Sequence, residues 1–369
     1  MKPKKRILFF IGALVSGGKE RRLVELLSYL KKNTDFELML VTTGTKIHYQ
    51  KFHDLEIPHV LAPAGNIFNT FLLIIKLFSV YRSFKPDVFH SWGRMQTLYL
   101  WPFVVLTKAK LVNSQITNAP KEISSINKAI DWLNFKISDV IISNSYAGLA
   151  SYNPPKGKSI VIRNGMRMER FTALKEPSNI KTKYGIHTPF SIIMVATHSV
   201  KKNYQLFFEV GKQVLNYRKD VTFVSAGWFS KDEPIFQRNQ AIIQDDKNII
   251  VLGEIQDVES LVNSMDIGIL FSTDKFGEGL SNSILEYMAL GKPTISTSDG
   301  GSKEIVIPNE TGFLVGHKEY ETIPSKINWL LDHPEERERM GHNAKKMILE
   351  NFTIEMMGKR YLESYQNIF

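Results

Sequence analysis

Short apolar runs alternate with longer amphipathic stretches along most of the 369-residue chain, which predicts strands and helices in turn. Residues 7–11 read as a strand, 20–31 as a helix, 36–42 as a strand, 67–84 as a helix and 88–90 as a short buried strand. Strands at 110–114 and 140–143 continue the series with a helix at 121–137 between them. Residues 160–162 read as a further strand before the Asn164-Gly165 turn. The pattern then restarts with strand 191–196, helix 205–216, strands 222–226, 249–252 and 267–271, helix 283–290 and strand 294–296. Such alternation implies α/β architecture with parallel sheets covered on both faces. The two runs, parted near residues 165–185, predict two doubly wound domains facing across a cleft. Ligands of such sheets bind beyond the carboxyl ends of the strands, where loops 12–19, 91–94, 197–203, 272–281 and 298–303 fall.

Two apolar segments admit more than one interpretation. In residues 67–84, IFNTFLLIIKLFSVYRSF, apolar side chains nearly encircle the helix, so it is either a buried layer helix, the preferred reading, or partly laid into a membrane interface. Lys76 interrupts it, and it is too short for a confident span. The opening MKPKKRILFFIGALVSGG resembles a signal peptide, but no A-x-A-like cleavage site follows and the run fits a buried first strand.

Composition is that of a globular protein, with 43% hydrophobic and 23% charged residues, and the length accommodates two ordinary domains. The absence of cysteine excludes a disulfide framework and a thiolate metal site. The net charge of +10 is unevenly placed: residues 1–170 carry 25 Lys+Arg against 11 Asp+Glu, residues 171–369 carry 22 against 26. The first half is therefore drawn to something anionic. No nucleic-acid motif with interleaved aromatics is visible, so the expected partner is an anionic membrane surface and not nucleic acid.

The richest chemistry lies in residues 276–293, FGEGLSNSILEYMALGKP. A glycine-containing loop, Gly279-Leu280, leads into Ser281-Asn282, both good helix caps, and Gly291 and Pro293 stop the helix. Such a helix start offers unpaired backbone N–H groups and a positive dipole end to an anion such as a diphosphate. Glu278 before the helix and Glu286 one turn inside it can each accept hydrogen bonds from ligand hydroxyls. Two glutamates eight positions apart are also common by chance. A glycosidase pair is a poor reading, because its carboxylates stand about 5–10 Å apart across one bond, whereas eight helical residues span about 12 Å.

Nearer motifs fail. In the first loop, GALVSGGKER, an extra glycine displaces Lys19 from the phosphate-loop pattern and Glu20 stands where Ser or Thr is needed. The dinucleotide fingerprint and its acidic residue are absent, which argues against NAD. Gly17-Gly18 still implies close backbone approach or positive φ, over which a phosphate or sugar could pass, or else a plain tight turn. The nine histidines are scattered without HxH or HExxH, and no Asp-x-Asp follows a strand, so no metal is expected.

These pieces together resemble the retaining family-4 glycosyltransferases of the GT-B fold. FGEGLSNSILEYMALGKPTISTSDGGSKEIVIPNETGFLV, residues 276–315, is similar to that family's EGxxNxxxEAMAxGxPVVxTxxGGxxEIVxxGxTGxLV pattern almost throughout. Gly17-Gly18-Lys19-Glu20 resembles its GGxE loop, Pro86–His90 its PDVVH strand, and Ile162–Met166 its IPNGV signal before the linker. The resemblance implies an N-terminal acceptor-binding Rossmann-like domain over 1–168, a C-terminal nucleotide-sugar-binding one over 169–350, and a helix in 351–369 returning to the first. It also implies a donor site of Gly17, Gly18, Lys202, Glu278, Gly279, Leu280, Ser281 and Glu286, with Glu278 on the sugar, Glu286 on the ribose and the diphosphate on backbone N–H groups around 279–281. Lys202, Glu278 and His90 would be the catalytic residues.

Two positions depart from the family. Its GRLxxxKN segment is here Ala196–Asn203, which keeps Lys202 but has Thr197 for the arginine, leaving Lys201 or Arg163 to compensate. Its HxH has Trp92 as the second member, so His90 fits a loop-orienting or buried role as well as a catalytic one.

The activity implied is transfer of a hexose from a nucleotide diphosphate sugar, such as a UDP-sugar, to a glycan or lipid-linked acceptor in surface polysaccharide or lipopolysaccharide assembly. It would need no cofactor or metal and would be cytoplasmic, peripheral at the inner face of the cell membrane. A nucleotide-sugar epimerase of the UDP-GlcNAc 2-epimerase type and a non-catalytic nucleotide-sugar-binding module are the competing readings.

Overall fold

The computed structural model describes residues 3–15, 17–65, 67–244, 246–273 and 276–369. It divides into two compact units, Met1–Gly165 with Ile354–Phe369, and Met166–Thr353.

The first unit is built on a seven-stranded parallel sheet in the order β3-β2-β1-β4-β5-β6-β7. Its strands are β1 (Arg6–Ile11), β2 (Glu37–Thr42), β3 (His59–Leu61), β4 (Val88–Ser91), β5 (Lys110–Ile116), β6 (Val140–Ser143) and β7 (Ser159–Val161). Central β1 is apolar on both faces because both are covered, and its alternate side chains feed two separate layers. Ile7, Phe9 and Ile11 face the helix Gly18–Asn33, with Leu23, Leu27 and Leu30, and the helix Ile354–Gln366, with Met357, Tyr361 and Tyr365. Gly358 allows those two helices to meet, since a Cβ there would run into the ring of Tyr29. Leu8 and Phe10 face the opposite layer, formed by Leu73, Leu77 and Val80 of the helix Ile67–Phe84 and Phe103 of the helix Trp101–Leu106.

The Ile67–Phe84 helix has the expected bounds but is not a buried layer helix. Only one stripe packs on the sheet, and Phe68, Phe71, Leu72, Ile75 and Phe78 face solvent. Encirclement by apolar residues signals burial only when neighbours exist on all sides, and here they exist on one. Among the described residues no helix is long and apolar enough to cross a membrane. The helix expected from 121 begins at Ser125, where Ser124 caps it by accepting the Asn127 N–H.

The second unit repeats the plan with a six-stranded parallel sheet in the order β10-β9-β8-β11-β12-β13. Its strands are β8 (Phe190–Val195), β9 (Val221–Ala226), β10 (Ile249–Leu252), β11 (Ile267–Leu270), β12 (Thr294–Thr297) and β13 (Gly312–Val315). In both sheets the strand order reverses beside the first strand, at β1/β4 and at β8/β11, which opens a crevice at the carboxyl ends there. The helix Tyr204–Tyr217 follows β8 and is capped by Asn203, whose Oδ1 accepts the Leu206 N–H at 3.2 Å. The helix Asn282–Ala289 follows β11. Gly268 in β11 leaves room for the Tyr287 ring, which a Cβ would displace.

Candidate functional site

Gly17, Gly18 and His90 of the expected site belong to the first unit. Gly17 is the N-cap of the helix Gly18–Asn33 with extended φ of −165°, so the expected alternative of positive φ does not hold. A Cβ on Gly17 would meet only the far end of the flexible Glu20 side chain. Tyr49 holds the turn, its hydroxyl donating to the Gly17 carbonyl at 2.9 Å and accepting the Gly17 N–H at 3.2 Å.

His90 lies in β4 with no exposed surface. Its Nδ1 is 2.7 Å from the Tyr365 hydroxyl and its Nε2 is 2.8 Å from the Ser114 hydroxyl. The rings of Phe9, Trp92 and Tyr361 surround it. Burial, reinforced by the nearby Arg22 guanidinium, pushes its pKa well below the usual value, so the ring is neutral. Both nitrogens are already used inside the unit, which makes His90 a link between β4 and the Ile354–Gln366 helix and leaves it no atom for a ligand.

The remaining candidates gather in the second unit. The loop after β8 and the loop after β11 are zipped together by backbone: the Asn203 N–H donates to the Phe271 carbonyl at 2.9 Å and the Thr273 N–H to the Lys201 carbonyl at 3.1 Å. This places Lys202 opposite Ser272 and lets its ammonium form an ion pair with Glu278 Oε1. Both side chains keep partial exposure, 16% for Lys202 and 23% for Glu278.

The next loop supports Glu278 from behind. The Gly301 N–H donates to the Glu278 carbonyl at 3.0 Å. Gly300 takes φ +48°, open to glycine at little cost, and a Cβ on Gly301 would sit 2.5 Å from the Gly279 carbonyl oxygen. The Gly300-Gly301 pair therefore allows the segments 278–280 and 299–302 to touch backbone to backbone. Asp299, just before the pair, is anchored by His317 Nε2 at 2.7 Å.

Leu280 points into the core, and Ser281 is the N-cap of the Asn282–Ala289 helix without a side-chain cap bond. The helix is held on the end of β8. Ser283 Oγ donates to the Val195 carbonyl at 2.7 Å, and the Tyr287 hydroxyl accepts the Val195 N–H at 2.6 Å. Its N-terminus thus sits at the carboxyl edge of the β8/β11 switch point with its positive dipole end outward.

Glu286, in the second turn, is only 5% exposed, and its charge is held by Arg170, whose Nη2 donates to Oε1 at 3.0 Å. The same guanidinium also donates to Glu259 Oε1 through Nε at 2.8 Å and through Nη2. One cation therefore serves two carboxylates. Sequence reasoning missed Arg170 and Glu259. The available signal was Glu286 itself, a charge inside the apolar run SILEYMAL that had to find a partner.

At the family's arginine position Thr197 is exposed. His198 beside it is buried, stacked 3.7 Å from the Tyr204 ring, and burial lowers its pKa from 6.5 to about 4. Among the described residues neither of its ring nitrogens has a hydrogen-bond partner. Of the two suggested substitutes, Lys201 lies in the same loop with its ammonium 5.9 Å from the Phe276 ring, and Arg163 belongs to the first unit. Among the described residues no group of three or more His, Asp or Glu could hold a metal ion.

Residues 178–347, all within the second unit, match the family described as glycosyl transferases group 1. The capsular polysaccharide biosynthesis glycosyltransferase CapM of Staphylococcus aureus is 26% identical over 208 residues, 56% of this chain and 53% of CapM. A trehalose synthase of Pyrococcus horikoshii is 29% identical over 164 residues, 42% of this chain and 38% of that protein. The chain thus spans about half or less of the length of these curated relatives. Among solved structures, Anabaena HepE in complex with UDP and glucose superposes with a TM-score of 0.87 at 18% identity, covering 98% of this chain and 100% of HepE. The architecture is GT-B, two Rossmann-like α/β units.

Proposed function

We propose that the chain is a retaining hexosyltransferase. It would take a nucleotide diphosphate sugar, a UDP-sugar in the first instance, and pass the hexose to a glycan or lipid-linked acceptor in surface polysaccharide assembly. The observation that carries this reading is the Lys202–Glu278 ion pair set beside the N-terminus of the Asn282–Ala289 helix, with Glu286 one turn further in. HepE with UDP and glucose supports the choice of donor, and CapM the choice of product class.

In this reaction the bond from the anomeric carbon to the diphosphate oxygen breaks and a bond to the acceptor oxygen forms on the same face. The acceptor proton passes to the departing phosphate. The transition state separates a cationic sugar from an anionic diphosphate. Lys202 and the helix N-terminus would supply the positive field for the leaving group, so the chemistry requires no metal. The ammonium is currently neutralised by Glu278, and an arriving diphosphate would compete for it, freeing the carboxylate to accept sugar hydroxyls. Glu286, already held by Arg170, would accept the ribose hydroxyls. His90, with both ring nitrogens bonded inside the first unit, takes no part in the chemistry. The basic first unit would work at the anionic inner face of the cell membrane.

The test is a panel of nucleotide sugars with membrane extract as acceptor, following nucleotide release and product mass. Acceptor-dependent release is expected with one donor, and Glu286→Ala should abolish donor use. Full activity in that variant would overturn the site, and interconversion of the donor without acceptor would point to an epimerase.

A further inference from the structure

The outward face of the first unit's Ile67–Phe84 helix has no use in the site just described. Phe68, Phe71, Leu72, Ile75 and Phe78 recur at i, i+3, i+4, i+7 and i+10, which gathers them on one stripe, and each is 44–67% exposed. The opposite stripe, Leu73, Leu77 and Val80, is fully engaged with the sheet. The helix is therefore apolar on two sides but has packing partners for one. Beside it the Trp101–Leu106 helix covers the same sheet face, with Tyr81 and Phe103 rings 6.3 Å apart across the seam. Its own outward residues are Trp101, Val105 and Leu106, the last 82% exposed.

Isolated exposed apolar residues need no explanation, but a run of large aromatic and aliphatic side chains along two adjacent helices does. The charges around it identify the occupant. Between residues 62 and 110 the chain carries six bases and a single acid, Asp87, which is tied to the β1 end by accepting the Arg6 N–H at 2.9 Å. Lys76, Arg82, Lys85 and Lys108 are exposed along or just beyond the two helices. A second copy of the chain is disfavoured, because a two-fold contact through this face would set bases against bases. A protein partner also fits poorly, since lysine is depleted at such interfaces. Aromatic and aliphatic residues in the acyl boundary, with lysine and arginine at the phosphate level, match an anionic bilayer.

We infer that the first unit docks on an anionic phospholipid surface through the solvent face of the Ile67–Phe84 and Trp101–Leu106 helices, with the longer helix lying flat in the interface. This deepens the membrane-surface part of the reading above and depends on no particular donor or acceptor. An 18-residue helix lying flat is about 27 Å long, enough to set the orientation of the unit on the membrane.

The test is co-sedimentation with vesicles of phosphatidylcholine alone and of phosphatidylcholine with phosphatidylglycerol. Wild type should pellet with the anionic vesicles and stay in solution with the neutral ones. The triple variant Phe71→Ser, Ile75→Ser, Phe78→Ser, altered only at exposed positions, should lose about a hundredfold in partitioning. Lys76→Glu with Arg82→Glu should lose about tenfold or more. Circular dichroism and UDP titration check that both variants fold and keep the donor site. A wild type that ignores anionic vesicles or binds neutral ones equally would overturn the proposal, as would variants that pellet like wild type. A wild-type dimer that the triple variant converts to monomer would also overturn it, in favour of a second copy. Failure of the wild type to bind UDP would count against the proposed function alone.

Discussion

Gly301→Ala gives the sharpest test of how the candidate site is positioned. A Cβ on Gly301 would lie 2.5 Å from the Gly279 carbonyl oxygen and 2.8 Å from its carbon, whereas ordinary contact begins at 3.4 Å. Both sides of the clash are backbone, so no side chain can turn aside, and the segments 278–280 and 299–302 must separate by about 0.9 Å, the difference between the two distances. That movement stretches the 3.0 Å bond from the Gly301 N–H to the Glu278 carbonyl and carries the Glu278 carboxylate away from its present place. Misplacing a reacting group by about 1 Å can cost roughly a hundredfold in rate, equivalent to about 2.7 kcal/mol of barrier. Overpacking alone destabilises by about 1–3 kcal/mol, and about 2–4 °C in Tm accompanies each kcal/mol in a domain of this size. The assay is kcat/KM for the donor alongside a thermal melt, with Gly253→Ala as control, because nothing lies within 4 Å of a Cβ there. A Gly301→Ala enzyme with lowered Tm but kcat/KM within twofold of wild type would refute the claim that this backbone contact sets Glu278.

Two further outcomes follow from buried charge. Arg170→Met leaves Glu259 and Glu286 without their shared cation; stability should fall by about 2–4 kcal/mol, UDP affinity should drop, and Arg170→Lys should restore part of both, as read by denaturant melts and UDP titration. His198 has a folded pKa of about 4 against 6.5 in its ordinary state, so the unfolded chain takes up the proton first. Its contribution to stability is complete above pH 6.5 and is lost as pH falls from there through about 4. His198→Phe should therefore flatten the decline of Tm between pH 6.5 and 4; parallel Tm–pH curves for the two proteins would contradict the burial argument.

The α/β plan was legible because parallel strands buried on both faces are short apolar runs, and β1, β2, β6 and β10 stand out as such. The strands His59–Leu61 and Gly312–Val315 were missed. Each closes one edge of its sheet, and His59–Leu61 has no fully buried position, unlike the inner strands. The Ile67–Phe84 helix shows a different limit: hydrophobicity fixes that a helix forms and where, but not whether core, lipid or water meets each side. At the candidate site, Glu278, Ser281 and Glu286 could be read together because they are close in sequence. Lys202 meets Glu278 across 76 residues and Arg170 meets Glu286 across 116, and such pairings follow only from the folded sheet. His90 illustrates the converse. A histidine ending a strand reads equally well as a ligand contact or a core residue, and only its bonds to Tyr365 and Ser114 distinguish them.

The return of Ile354–Phe369 to the first unit bears on the order in which the molecule can form. Ile354, Met357, Tyr361 and Tyr365 share the layer that holds β1 and the Gly18–Asn33 helix, and Tyr365 supplies the hydroxyl facing His90. During synthesis, residues 1–165 emerge first yet lack that layer's covering, while 166–353 is continuous in sequence and can finish folding as soon as it is made. The first unit, with its apolar outward helix, must wait in an unfinished state for the last segment to arrive. Its exposure to chaperones and proteases is therefore greatest in the interval before residue 354 is translated. A truncation there should be cleared from the cell even though every residue of the candidate donor site has been made.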